Sequence, residues 1–95
     1  MLIETLGKKH VREILDLLNF HERIYFGEIC EHVAINKGNL SKILNLLVNL
    51  RILKKEEEEE GKKLNKTYYS LTDFGKEAYS LYNVEKEIES KYSFE

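Results

Sequence analysis

The chain has 95 residues, enough for one compact domain with a single core and too few for a second domain beside it. Hydrophobic residues make up 42% and charged residues 34% of the sequence, and proline is absent, which favours a helix-rich globular protein and excludes a disordered one. The formal net charge of −2 argues against a protein that binds nucleic acid with a uniformly cationic surface. The single Cys30 cannot form an intramolecular disulfide, and no apolar run approaches the roughly 18 residues that span a bilayer. We therefore expect a cytoplasmic protein with no membrane partner.

The first quarter of the chain predicts one amphipathic helix and one short strand. Apolar residues recur at helical spacing over residues 8–20, with charged residues between them, and the apolar residues before Gly7 can extend this helix towards the N-terminus. A β-prone run at residues 24–26 follows. This run is too short for more than an edge strand.

Two further helices follow, joined by a tight turn. Apolar residues at spacings of three and four predict a short helix that begins at Phe26 and ends near Ala34. Asn36 is a good N-cap for the next helix, at about residues 37–50, because its side-chain oxygen can accept a hydrogen bond from an otherwise unpaired amide. One face of this third helix is apolar. The other face contains lysine, asparagine and serine.

The last part of the sequence predicts a hairpin and a long helix. Residues 51–71 contain two β-prone segments around a turn at Gly61, and the first segment includes the acidic run 56–60. Thr72 is a predicted N-cap for a helix over residues 72–92, in which Gly75 is the one weak position. The fold class is mainly α with a small β-hairpin, in a single domain over residues 1–95 with its core at residues 8–71.

The order of these elements points to a DNA-binding protein. Two short helices with a tight turn form a helix-turn-helix, whose second helix enters the major groove, and a hairpin directly after it gives the winged form. Asn39, Ser41, Lys42 and Asn45 are short or flexible enough to reach base edges. Residues 37–55 include five basic residues and no acidic one, so this segment is locally basic on an acidic protein.

Two motifs carry a family resemblance that covers most of the chain. Residues 26–47, FGEICEHVAINKGNLSKILNLL, and residues 69–77, YSLTDFGKE, resemble winged-helix regulators of the MarR, ArsR and HxlR kinds, including archaeal ones. The resemblance implies a winged helix-turn-helix with an added C-terminal dimerisation helix, and a homodimer that regulates transcription at double-stranded DNA. It implies DNA contacts from the third helix and from the wing, at Lys37, Gly38, Asn39, Ser41, Lys42, Asn45, Lys62, Lys63 and Lys66. The acidic run 56–60 departs from the family pattern and argues against contact between that strand and phosphates.

The length of the final helix gives a separate reason to expect a dimer. At 1.5 Å per residue, a helix over residues 72–92 is about 30 Å long, more than a three-helix core of this size can cover. Its apolar residues continue beyond the core and predict an interface with a second copy, joined by the first segment, at Leu2, Ile3, Leu6, Leu81, Val84, Ile88 and Tyr92. The alternative is a helix that folds back on its own domain.

Other functions find less support in the sequence. No nucleophile with a base, carboxylate pair in a cleft or glycine-rich phosphate loop stands out, so we expect neither an enzyme nor a cofactor. Cys30 and His32 are two residues apart on a predicted helix and point in different directions, which argues against a metal site. The competing function is a winged-helix protein-interaction module whose acidic hairpin binds a basic partner.

Overall fold

The protein folds as five helices and a small antiparallel sheet in the described parts of the chain. A computed structural model describes residues 2–59 and 65–92. The elements are α1 (Leu2–Leu6), α2 (Val11–Phe20), β1 (Ile24–Tyr25), α3 (Phe26–His32), α4 (Lys37–Asn49), β2 (Leu53–Glu59), β3 (Asn65–Leu71) and α5 (Asp73–Lys91). The predicted fold class, mainly α with a winged helix-turn-helix, is confirmed.

The first predicted helix is divided into two. His10 has a φ of 70°, in the left-handed region that a helix interior excludes, so α2 begins at Val11 rather than at Lys8. The Lys8 amide donates to the Thr5 carbonyl at 3.1 Å in the connecting turn. The apolar residues before Gly7 therefore form a separate helix, α1, instead of extending α2.

The helix-turn-helix consists of α3 and α4. The first of them ends at His32 rather than near Ala34, because the Val33 backbone is extended while its amide donates to the Ile29 carbonyl at 2.9 Å. A tight turn follows, in which the Ile35 amide donates to the Val33 carbonyl at 2.8 Å. The predicted N-cap of α4 is confirmed: the Asn36 side-chain oxygen accepts from the Asn39 amide at 2.8 Å.

The sheet has the strand order β1-β3-β2, with both pairings antiparallel. Its short strand β1 lies at one edge, as expected from its length, and pairs Ile24 with Tyr69 and Tyr25 with Tyr68. The β2 and β3 strands form the wing. Directly paired residues share a face of a sheet, so the side chains of this sheet divide into two sets.

We call the two faces inner and outer. The inner face packs on the helices through buried residues: Ile24, Leu53, Tyr69 and Leu71. The same core includes the apolar sides of α2 and α4, and its other fully buried members are Val11, Ile14, Leu15, Leu18, Ile29, Leu40, Leu44, Leu47 and Ile52. One core therefore fixes the wing base and the helix-turn-helix together.

A close contact joins the wing base to α5. Thr72 caps α5 as predicted, accepting from the Gly75 amide at 2.9 Å, and its hydroxyl also lies 3.1 Å from the Ile52 carbonyl oxygen. A Cβ on Gly75 would lie 2.0 Å from that same carbonyl oxygen. The sequence marks Gly75 as the weak position of the helix, whereas the structure shows a place where only glycine fits without a backbone shift.

Candidate nucleic-acid interface

The polar face of α4 is the strongest candidate for a DNA-reading surface. All six residues predicted on this helix are exposed on its first three turns: Lys37, Gly38, Asn39, Ser41, Lys42 and Asn45. Within the described parts of the chain, no side chain of this set forms a hydrogen bond or ion pair. The face is therefore available to a ligand outside the protein.

The opposite face of α4 explains why this surface is rigid. Leu40, Leu44 and Leu47 are completely buried in the core. A helix held by a buried stripe cannot roll or slide without opening cavities, which cost about 2–5 kcal/mol for each large side chain lost. The exposed side chains therefore start from a fixed backbone.

The chemistry of the exposed face suits the edges and backbone of DNA. Asparagine amides can form paired hydrogen bonds with adenine, lysine can bind guanine or phosphate, and serine can donate or accept. The first turn of α4 contains no acidic residue that would repel phosphate. These residue types fit the surface of a recognition helix better than a catalytic site, since none is paired with a base or a buried carboxylate among the described residues.

In the described part of the wing, the predicted DNA-contact residue is less exposed than those of α4. Of the three lysines expected there, Lys62 and Lys63 lie outside the described residues. The third, Lys66, is half-buried, and its Nζ lies 4.5 Å from the centre of the Tyr25 ring. The structure thus turns Lys66 towards the outer face of the sheet.

The glutamates of the acidic strand β2 differ in their surroundings. Glu56 and Glu57 are exposed, but Glu58 forms an ion pair with Arg23 in the loop before β1. The hydrogen bond from Arg23 lowers the pKa of the Glu58 carboxyl. Arg23 was not among the predicted site residues, because the two partners are 35 positions apart in sequence and no local pattern links them.

An apolar surface lies on the far side of the domain, on α1 and α5. Four residues of α5 and its end are exposed along one helix face, at Leu81, Val84, Ile88 and Tyr92. Ile3 of α1 is 78% exposed beside them, while Leu2 is half-buried. A groove of about 440 Å³ runs between the two helices. Leu6, also predicted here, is instead buried in the core of its own chain and has little surface to offer a partner.

The first half of α5 is fastened to the domain by two tyrosines. The Tyr79 hydroxyl donates to the Asp16 carboxylate at 2.6 Å, and the Tyr82 hydroxyl donates to the Leu6 carbonyl at 2.8 Å. Burial raises the pKa of Tyr82 to about 12, and the Asp16 hydrogen bond raises the pKa of Tyr79. Tyr82 is thus buried against α1 and α2, unlike its exposed neighbour Leu81.

Residues that could hold a metal are dispersed. Within residues 2–59 and 65–92, no three histidine, cysteine, aspartate or glutamate side chains come together. Cys30 is half-buried against the core rather than fully buried. In the same ranges, no helix is both long and apolar enough to cross a membrane.

An exposed polar helix after a tight turn, followed by a two-stranded hairpin, defines a winged helix-turn-helix protein. The family model described as "Winged helix DNA-binding domain" matches residues 12–87, and the chain belongs to this family. It is similar to an uncharacterized protein of Methanocaldococcus jannaschii, with 44% identity over 90 residues that cover 95% of this chain and 75% of the relative. An uncharacterized HTH-type transcriptional regulator of the same archaeon is 38% identical over 81 residues, covering 85% of this chain and 75% of that protein.

Solved structures agree on the fold. A putative transcriptional regulator of the MarR family from Enterococcus faecalis superposes with a TM-score of 0.85 at 17% identity, over 97% of this chain and 82% of that one. The resemblance to MarR-like winged-helix regulators, including an archaeal one, is therefore confirmed. Two of these similar proteins, the HTH-type protein of Methanocaldococcus jannaschii and the Enterococcus faecalis protein, are described as transcriptional regulators.

Proposed function

We propose that this protein is a sequence-specific transcriptional regulator that binds double-stranded DNA with α4 in the major groove. The observation that carries the proposal is the contrast between the two faces of α4. Its apolar stripe is completely buried, while the side chains of its polar face are exposed and not engaged within the described parts of the chain. Such a face has no structural role inside the domain, and its residue types match the groups at DNA base edges.

A binding experiment with Lys42→Ala tests this proposal. A pool of random DNA duplexes is first selected on the wild-type chain, and affinity for the best duplex is then measured by fluorescence anisotropy at several salt concentrations. If Lys42 binds a phosphate, the variant binds more weakly and the slope of log affinity against log salt becomes shallower by about 1.

Lys86→Ala is the matched control, because it removes the same charge from an exposed position on α5. Its slope should stay close to that of the wild type. Equal salt slopes and affinities of the two variants contradict a DNA contact by Lys42. A wild-type chain that selects no duplex contradicts DNA binding itself and leaves the protein-interaction module with an acidic wing.

We further propose that the protein acts as a homodimer. The second half of α5 supports this, because Ile88 is 54% exposed and lies in line with Leu81, Val84 and Tyr92, next to the exposed Ile3. A contiguous apolar patch of this kind is uncommon on a monomer, and a two-fold axis through it lets each copy cover the other. A dimer also presents two copies of α4 to the two halves of a palindromic site.

Sedimentation of a Leu81→Glu, Ile88→Glu variant tests the dimer. The two carboxylates would be desolvated in the interface, so the variant should sediment as a monomer while the wild type sediments as a dimer. An Asn83→Glu, Ser90→Glu variant adds the same charge on the opposite side of the helix and should remain dimeric. A monomeric wild type, or a Leu81→Glu, Ile88→Glu variant that stays dimeric, contradicts the proposed interface.

A further inference from the structure

The outer face of the sheet has a set of side chains that touch one another. Tyr25 pairs with Tyr68 across β1 and β3, and Glu58 pairs with Lys66 across β2 and β3. Residues that alternate along a strand share a face, so Tyr68 and Lys66 lie on the same side as Tyr25 and Glu58. This side is the one turned away from the hydrophobic core.

On this face two neighbouring aromatic rings have a cation at each end. The Lys66 Nζ lies 4.5 Å from the centre of the Tyr25 ring, and the Tyr25 and Tyr68 rings meet edge to face with their centres 6.0 Å apart. The Arg23 guanidinium lies over the Tyr68 ring at 3.9 Å and forms the ion pair with Glu58. We call this set of five residues the wing clamp.

We propose that Arg23 is a positioning residue for the wing: through Tyr68 and Glu58 it holds β2 and β3 to the start of the helix-turn-helix. The effect of Arg23 on DNA affinity rests on the proposed DNA binding, whereas its effect on the wing does not. Arg23 is suited to the task because its planar group can stack on a ring while its N–H groups donate to a carboxylate. Lysine at this position would keep the charge but lose the stacked plane.

The clamp reaches the helix-turn-helix through Tyr25. This residue immediately precedes α3, and its backbone amide lies 3.4 Å from the Glu28 carboxylate in the first turn of that helix. Its ring contacts Lys66 and Tyr68 of the wing. Leu53 and Leu71 hold the buried base of the hairpin. The contacts of Tyr25 join the hairpin to the helix-turn-helix at a second point, beyond that base.

The clamp also reduces the negative charge of the wing. A fixed cation beside Glu58 cancels that carboxylate at distances much longer than the ion pair itself, so an approaching phosphate meets one acidic group fewer. This matters for a wing whose strand β2 has a run of glutamates. The neutralised Glu58 reduces the repulsion between the acidic hairpin and the phosphates of a bound DNA.

Amide hydrogen exchange tests the clamp without DNA. In Arg23→Ala, the amides of β2 and β3 that lie farthest from Leu53 and Leu71 should exchange about tenfold faster. The contacts of Arg23 no longer oppose local opening of the hairpin there. Arg12→Ala is the matched control, since it also removes a guanidinium that lies over a tyrosine ring, that of Tyr82 in α5 at 4.8 Å. Arg23→Lys should give an intermediate rate. Equal wing exchange in Arg23→Ala and the wild type overturns the inference.

A double-mutant cycle tests the charge role on the duplex selected by the wild type. Arg23→Ala should weaken binding about fivefold, and adding Glu58→Gln should recover part of the loss by removing the uncompensated carboxylate. Wild-type affinity in Arg23→Ala overturns the functional role of the clamp. If the wild type selects no duplex, the proposed function fails, while the exchange rates still decide whether Arg23 holds the wing.

Discussion

Helix α4, the proposed recognition helix, and the wing lie next to each other on the same core, but they are held in opposite ways. Helix α4 is fixed by buried apolar contacts, and the side chains of its polar face form no hydrogen bond or ion pair within the described residues. In the described part of the wing, the buried residues lie at its base, and Lys66, Tyr68 and Glu58 on the outer face contact Tyr25 or Arg23. Different side chains therefore fix the two regions: a buried apolar stripe fixes α4, and surface contacts around Arg23 hold the part of the wing beyond its base.

The largest effect is expected at the junction where both regions meet. In Gly75→Ala, the new Cβ would lie 2.0 Å from the Ile52 carbonyl oxygen, between the end of α4 and the start of β2. We expect the free energy of unfolding to fall by about 3 kcal/mol, because backbone atoms must move in a packed region. Urea denaturation followed by circular dichroism measures this loss.

Gly38→Ala is the control for that substitution. A Cβ at Gly38 meets only the Asn36 side-chain oxygen at 3.5 Å, which is an ordinary contact, and alanine favours the helix by up to about 1 kcal/mol. We therefore expect the stability of Gly38→Ala to equal or exceed that of the wild type. Similar changes in both variants would refute the structural role of Gly75.

A smaller effect is expected from the cap of α5. Thr72→Ala removes the oxygen that accepts from the Gly75 amide and the hydroxyl that donates to the end of the α4–β2 connection. The free energy of unfolding should fall by about 1–2 kcal/mol in Thr72→Ala. Thr72→Ser keeps the hydroxyl and should be nearly as stable as the wild type. If serine is as damaging as alanine, then the methyl group and not the hydroxyl stabilises this junction.

Acid pH should act on the wing before it acts on α4. Arg23 lowers the pKa of Glu58 below its usual value of 4.5, so the stabilisation from this pair is fully present above pH 4.5 and is lost as the pH falls through the lower folded-state pKa. NMR signals of the Tyr68 ring should therefore change at a pH below 4.5, while the methyl signals of Leu44 stay constant. The same transition in Glu58→Gln would show that another group causes it.

The smallest effect is expected from the exposed carboxylates of β2. Replacing Glu56 and Glu57 with glutamine should raise affinity for a random DNA duplex by about twofold at low salt, and the gain should disappear as salt screens the charges. Unfolding free energy should not change, since both side chains are exposed. A gain in affinity of more than tenfold would place β2 against the phosphates and break the distinction between the two regions.

Local sequence patterns predicted the elements well and their boundaries less well. The caps at Asn36 and Thr72 were correct, because a cap depends on a side chain and an amide three residues apart. The start of α2 was wrong by three residues, since apolar spacing does not reveal the left-handed backbone of His10. The assignments of DNA contacts and of the dimer surface remain predictions.

The sequence by itself determined the fold class, the polar face of α4 and the protruding apolar stripe of α5, because each depends on periodicity within one element. Only the tertiary structure decided which side chains form contacts with residues distant in the sequence. It brought Arg23 to Glu58, Tyr79 to Asp16 across 63 positions, and Gly75 to the Ile52 carbonyl. Such contacts follow from how the elements pack, and a single sequence has no pattern of spacing that links residues so far apart.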